Sequence, residues 1–253
     1  MNIVSEVRYI KHTRAVSYTM SNGFPLSVDT YLYQDKEGHN RYVQHLEGGS
    51  TVIFTDGSFV SLGRNPNVPL SGTLGVGGWS FGAISSESKG KSQSYQALFS
   101  GMTFAAGSGI MELYSIKEAL QWASENAADG PVSIFSDSNS FLSKMIKSVQ
   151  TYDAIGVDRS VNKRLMDRRV KPESISEYND IMNGYNIMAA LSEKSLFKYI
   201  TSLLLACERP VRFCWVQRCS NPYARKVDNY SKAARVHLQQ AVLSTLGLET
   251  RTK

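Results

Sequence analysis

The chain has 253 residues, a formal net charge of +6 and a pI near 9.1, a length that suits one well-buried domain with additions. No apolar run approaches the roughly 18 residues of a membrane span, and the polar start Met1-Asn-Ile-Val-Ser-Glu6 lacks the charged and apolar regions of a signal peptide. The three cysteines, Cys207, Cys214 and Cys219, offer neither a paired metal spacing nor a disulfide framework, so a soluble protein of the cytoplasm or another reducing intracellular compartment is expected.

Residues 1–48 alternate in a strand-like way, as in Val7-Arg-Tyr-Ile-Lys-His-Thr-Arg-Ala-Val-Ser-Tyr18 and Thr30-Tyr-Leu-Tyr33, with Lys36-Glu-Gly-His39 as a turn. A β-hairpin extension packed on the core is expected there, with the main domain over residues 49–253. In that domain, runs at 51–55, 77–84, 94–104, 132–136 and 211–216 are rich in β-branched and aromatic residues and bounded by Gly, Pro or Ser, and read as strands. Helix-like runs lie at 112–126, 139–149, 177–206 and 228–246. In the first of these, Leu113, Ile116, Ala119, Leu120 and Ala123 recur every three or four residues, an apolar stripe that packs on a sheet. The stretch at about 172–193, with Ile181, Met182, Tyr185, Ile187, Met188 and Leu191, reads as an extra helical insertion facing the core. Three strands before the first helix, then alternation, predict an α/β fold with a mixed five-stranded sheet flanked by helices.

Four acids stand in four settings along this pattern: Asp56 in Thr51-Val-Ile-Phe-Thr-Asp-Gly-Ser58, Glu112 in Met111-Glu-Leu113, Asp137 in Val132-Ser-Ile-Phe-Ser-Asp-Ser138, and Asp228 after Arg212-Phe-Cys-Trp-Val216. Each has an ordinary reading by itself. Asp-Gly is a common turn dipeptide, an acid is favoured in a helix's first turn, and Asp137 resembles a helix cap. Together they are costly, because carboxylates ending apolar strands sit at the edge of a core and repel one another unless something positive compensates them. Hard oxygen ligands without nearby His or Cys favour Mg²⁺, or Mn²⁺, over Zn²⁺. In the expected sheet Asp56 and Asp137 are neighbours, and two helices supply Glu112 and Asp228 from one side.

The order of these motifs resembles ribonuclease H of type 1. The resemblance is carried by Thr55-Asp-Gly-Ser58, the strand Gly75-Val-Gly-Gly-Trp-Ser-Phe-Gly-Ala83, Met111-Glu-Leu113 with Ala119-Leu120, Phe135-Ser-Asp-Ser138, the helix from Ser195 to Leu204 leading into Val211-Arg-Phe-Cys-Trp-Val216, and Asp228 ahead of Ala233-Ala234. It covers roughly residues 50–237 with two insertions. It implies a ribonuclease H-like fold, and a metal-dependent endonuclease that cuts the RNA strand of RNA/DNA hybrids with two Mg²⁺ held by Asp56, Glu112, Asp137 and Asp228. It also implies backbone and small side-chain contacts to the RNA strand from Gly57, Ser58, Ser138, Asn139 and the stretch Ser108-Gly-Ile-Met111.

The chain departs from that family before its fourth acid. Where such enzymes carry a mobile His, this sequence reads Trp215-Val-Gln-Arg-Cys-Ser-Asn-Pro-Tyr-Ala-Arg-Lys-Val-Asp228, with Arg218 or Cys219 nearest. An Arg holds phosphate but exchanges no proton near neutral pH. The family's Asn and Glu are replaced by Ala224 and Arg225. Charge points to the same class of partner: all the basic excess lies beyond residue 50, six basic residues against one acid in Arg159–Lys171 and seven against one in 209–235. The first cluster follows the helix after Asp137, where the family often places a basic protrusion that grips the DNA strand. Arg164, Arg168, Arg169, Arg218 and Arg225 are accordingly expected on backbone phosphates. The alternatives are a DNA junction nuclease of the same fold and a nucleic-acid-binding module that has lost turnover. The sequence identifies no protein partner.

Overall fold

The computed structural model describes residues 9–33, 51–62, 75–85, 95–127, 130–156, 169–189, 191–216, 218 and 222–248. Its strands are β1 (Tyr9–Thr19), β2 (Pro25–Tyr33), β3 (Thr51–Ser61), β4 (Gly75–Ser85), β5 (Ala97–Ala105), β6 (Val132–Ser136) and β7 (Val211–Trp215). Its α-helices are α1 (Ser108–Asn126), α2 (Asn139–Ile155), α3 (Tyr178–Ala189), α4 (Glu193–Ala206) and α5 (Pro222–Thr245). The fold is α/β. One mixed sheet runs β1-β2-β7-β6-β3-β4-β5, with β2, β7, β6 and β3 mutually parallel and the β1/β2, β3/β4 and β4/β5 pairs antiparallel.

The five expected strands are present, and the sheet has seven because the N-terminal hairpin extends it. Leu26 through Thr30 pair in parallel with Val211 through Trp215. Side chains tie the hairpin down further. The Tyr18 hydroxyl and the Ser21 amide donate to Asp153 at 2.7 and 2.8 Å, near the end of α2. Asn22 donates to the Leu205 carbonyl at 2.9 Å, satisfying an orphan acceptor in the last turn of α4.

The helix expected over 177–206 is two helices. Ser192 ends the intervening link as an N-cap, its hydroxyl accepting from the Ser195 amide at 3.1 Å while the Ser195 hydroxyl accepts from the Ser192 amide at 2.9 Å. The last helix begins at Pro222, where a missing N–H costs nothing in a first turn, so Asp228 lies in its second turn.

β3 is buried without a break from Thr51 to Ser58, the mark of a strand covered on both faces. Consecutive residues of β4 show which helix covers which face. A side chain at Gly77 would meet Met111 of α1, and one at Gly78 would meet the Ser231 carbonyl and Arg235 amide of α5. α1 and α5 therefore approach from opposite faces, which corrects the expectation that Glu112 and Asp228 come from one side. On the α5 face Phe54 stacks between Phe135 and Tyr223, with ring centroids 5.2 and 5.6 Å away. α3 of the insertion packs on β5, Tyr185 lying 4.4 Å from Phe104, as expected of a core-facing helix. Among the described residues, no helix is long and apolar enough to cross a membrane.

Candidate active site

Asp56 sits within β3, in register with Ser80 of β4, and faces α5, where the Ser231 hydroxyl donates to its Oδ2. Asp137 follows the last residue of β6, and its carbonyl is held by the Trp215 indole N–H at 2.9 Å. Thr55 donates to the Phe135 carbonyl at 3.2 Å and so locks the two strand ends together.

Glu112 reaches the same place from the first turns of α1. The helix start rests directly on β3 at Gly57: a Cβ there would stand 2.4 Å from the Glu112 amide nitrogen and from the Met111 carbonyl carbon. Only glycine allows that approach, and it lets the Gly57 amide donate to the Glu112 carboxylate.

One carboxylate oxygen from each of Asp56, Glu112 and Asp137 lies within 4.8 Å of the others. Asp56 is 4% exposed, and Glu112 Oε2 is buried with no hydrogen-bond partner. Burial, then the neighbouring acids, raises all three. Asp56 is pushed up to about 7 although Ser231 opposes the shift. Glu112 is raised well above the carboxylate range by burial, Asp56 and Asp137. Asp137 is raised by burial, against the opposing charge of Arg218. Three converging carboxylates, one with a buried oxygen that nothing satisfies, fit a divalent cation that prefers hard oxygen ligands.

Asp228 stands apart from that cluster. Its Oδ1 accepts from Arg218 Nη2 at 2.8 Å and its Oδ2 from Lys232 Nζ at 2.6 Å. Burial alone would raise it, but the hydrogen bonds and charges of Lys232 and Arg218 prevail and hold it below the usual carboxylate range. Arg218 also reaches Asp137, Nε to Oδ2 at 3.8 Å. The sequence points to the position of Asp228 but not to its partners; Ser231 and Lys232, one helical turn on, carry the only local signal.

The other residues singled out in the sequence fall in different places. Ser58 is buried, Ser138 half-buried and Asn139 exposed at the start of α2, beside Asp137. Arg225 is exposed in the first turn of α5. Arg169 is engaged internally: its Nη2 lies 3.2 Å from Glu118 Oε2, and its guanidinium sits 5.2 Å from the centre of the Trp79 ring. Arg164, Arg168 and Cys219 lie outside the described residues.

No family model matches the chain, and no curated protein matches it. Among solved structures it is similar to a foamy viral protease-reverse transcriptase in complex with dsDNA, at 15% identity and TM-score 0.47, over 75% of this chain and 96% of that one. It is also similar to a type 1 ribonuclease H with the type 2 active-site motif, at 12% identity and TM-score 0.44, over 81% and 87% of the two chains. A ribonuclease H1 from the halophilic archaeon Halobacterium salinarum is similar at 11% identity and TM-score 0.39, over 74% and 97%.

Proposed function

We propose that the chain is a metal-dependent endonuclease that hydrolyses the RNA strand of RNA/DNA hybrids, with Asp56, Glu112, Asp137 and Asp228 as the ligand set for two divalent ions, Mg²⁺ or Mn²⁺. The observation that carries this reading is the convergence of three carboxylates, Asp56, Glu112 and Asp137, one of which has a buried, unsatisfied oxygen, joined to the motif order of the sequence. A pair of such ions supplies an activated water and stabilises the leaving 3′-oxygen of a phosphodiester.

The protein's own contribution is to hold the ligands ready. Ser231 fixes Asp56, the Gly57 amide fixes one oxygen of Glu112, and Trp215 fixes the backbone of Asp137. Arg218 faces Asp137 and Asp228, but a guanidinium exchanges no proton near neutral pH, so its part is to position phosphate. Selection of RNA rests on 2′-hydroxyls in the wide minor groove of an A-like duplex. Gly57, Ser58, Ser138 and Asn139, on either side of the acids, are the residues proposed to read them. Arg164, Arg168 and Arg225 are proposed to hold backbone phosphates, which makes binding sensitive to salt.

Replacing Asp56 or Asp137 by Asn removes a ligand while keeping the side-chain shape. Both variants should fold to the parent's secondary structure by circular dichroism and unfold cooperatively, and lose turnover of a labelled hybrid. Activity retained in both would overturn the assignment.

A further inference from the structure

Asp228 differs from the other three acids in being already neutralised. It is 3% exposed, so water does not compete for it, and both its oxygens accept from cations at 2.6 and 2.8 Å. A divalent ion approaching Asp228 in this state meets two positive charges at hydrogen-bonding distance from its ligand. Among the described residues, the other three acids meet no such obstacle, apart from the longer 3.8 Å pair between Asp137 and Arg218.

We infer that Arg218 is a lock on the fourth acid: the chain without nucleic acid opens only the three-acid cluster to a divalent ion, and a backbone phosphate draws Arg218 off Asp228, so that the second ion and the nucleic acid bind as a linked pair. This deepens the proposed function and rests on the four acids being metal ligands.

The two cations on Asp228 are not equivalent. Lys232 follows Asp228 by one turn of α5, so the helix backbone holds it beside Oδ2. Arg218 comes from the segment between β7 and α5, and its side chain is 60% exposed. A guanidinium pairs with phosphate oxygens through two parallel N–H donors, a geometry that an exposed Arg can exchange for a carboxylate. Departure of Arg218 takes its donor and its charge off Asp228 Oδ1 and away from Asp137, while Lys232 keeps Oδ2. Linkage is reciprocal, so nucleic acid raises affinity for the second ion by the factor by which that ion raises affinity for nucleic acid.

The test counts Mn²⁺ bound to the intact chain without nucleic acid, by the loss of the free-ion paramagnetic resonance signal, in wild type, Arg218→Gln and Arg225→Gln. Arg225 is an exposed cation on α5 with no role in the lock and controls for net charge. The lock requires one Mn²⁺ in wild type, two in Arg218→Gln and one in Arg225→Gln. Two ions in wild type, or one in Arg218→Gln, would overturn it while leaving the metal site intact. A chain that binds no Mn²⁺ would overturn the metal reading itself and the lock with it. Hybrid affinity measured in EDTA against salt tests the second half: loss of a phosphate contact lowers the salt slope of Arg218→Gln by about one, and an unchanged slope contradicts the transfer to phosphate.

Discussion

Glu112 and Glu118 stand on one helix, both largely withdrawn from water, in opposite electrostatic circumstances. Glu118 is balanced on the spot: the fully buried Lys117 lies 2.8 Å from Oε1, and Arg169 lies 3.2 Å from Oε2. Lys117 also sits 4.6 Å from the centre of the Tyr114 ring, so the group is packed as well as paired. Glu112 has a single backbone donor, an unsatisfied Oε2 and two other acids as neighbours. A buried acid with its counter-charge in place is part of the fold, whereas buried acids gathered without one cost stability and are kept for a ligand.

That contrast can be broken most forcefully at Lys117. Lys117→Met leaves Glu118 buried with only the half-exposed Arg169, and should destabilise the chain by about 3–5 kcal/mol in denaturant unfolding. Gly57→Ala attacks the other glutamate's support. The added methyl forces the start of α1 away from β3, with an expected cost of about 1–3 kcal/mol and a loss of metal affinity and turnover out of proportion to it. Lys117→Met, by contrast, should leave the metal affinity of its folded fraction unchanged.

A pH dependence of order 1–3 kcal/mol sharpens the same comparison. The folded-state value of Asp56, about 7, lies above its ordinary value of 3.8. The stability linked to this group is therefore fully present below about pH 4 and lost as pH rises through about 7. Glu112 and Asp137 shift in the same direction. Metal-free protein should accordingly unfold at lower denaturant near pH 8 than near pH 5, Asp56→Asn should flatten that slope, and saturating Mg²⁺ should reverse most of the loss at high pH. The smallest effect is expected at the exposed pair of Lys144 and Glu193, 3.5 Å apart with side chains 54% and 44% exposed. Lys144→Ala should change stability by about 0.5 kcal/mol or less.

Local chemistry made much of this legible. Asp137 follows an apolar strand and Glu112 opens an apolar helical stripe, as their local patterns suggest, whereas Asp56, read as following a strand that ends at Thr55, lies within β3, which runs on to Ser61. Long-range pairing did not declare itself in the same way. Nothing within Leu26–Thr30 announces Val211–Trp215 as its partner, so the hairpin reads as an appendage although it continues the sheet. Lys117 stands outside the apolar stripe read in the sequence, yet it is fully buried, paired with Glu118 and set over the Tyr114 ring of its own helix. The break before α4 was carried by a Ser192 cap whose partner is another Ser rather than the usual Glu or Gln. The ion pair of Asp228 with Arg218 needed the position of a residue ten earlier in the chain, which local spacing does not give.

The central claim is tested most directly by incubating wild-type protein and Mg²⁺ or Mn²⁺ with a strand-labelled RNA/DNA hybrid, beside single-stranded RNA, duplex RNA, duplex DNA and a four-way DNA junction, with EDTA as the control. Metal-dependent cleavage confined to the RNA strand of the hybrid is the predicted result. An intact hybrid would contradict it, pointing to a junction nuclease if the DNA junction is cut, and to a binding module if the hybrid is bound and nothing is cut.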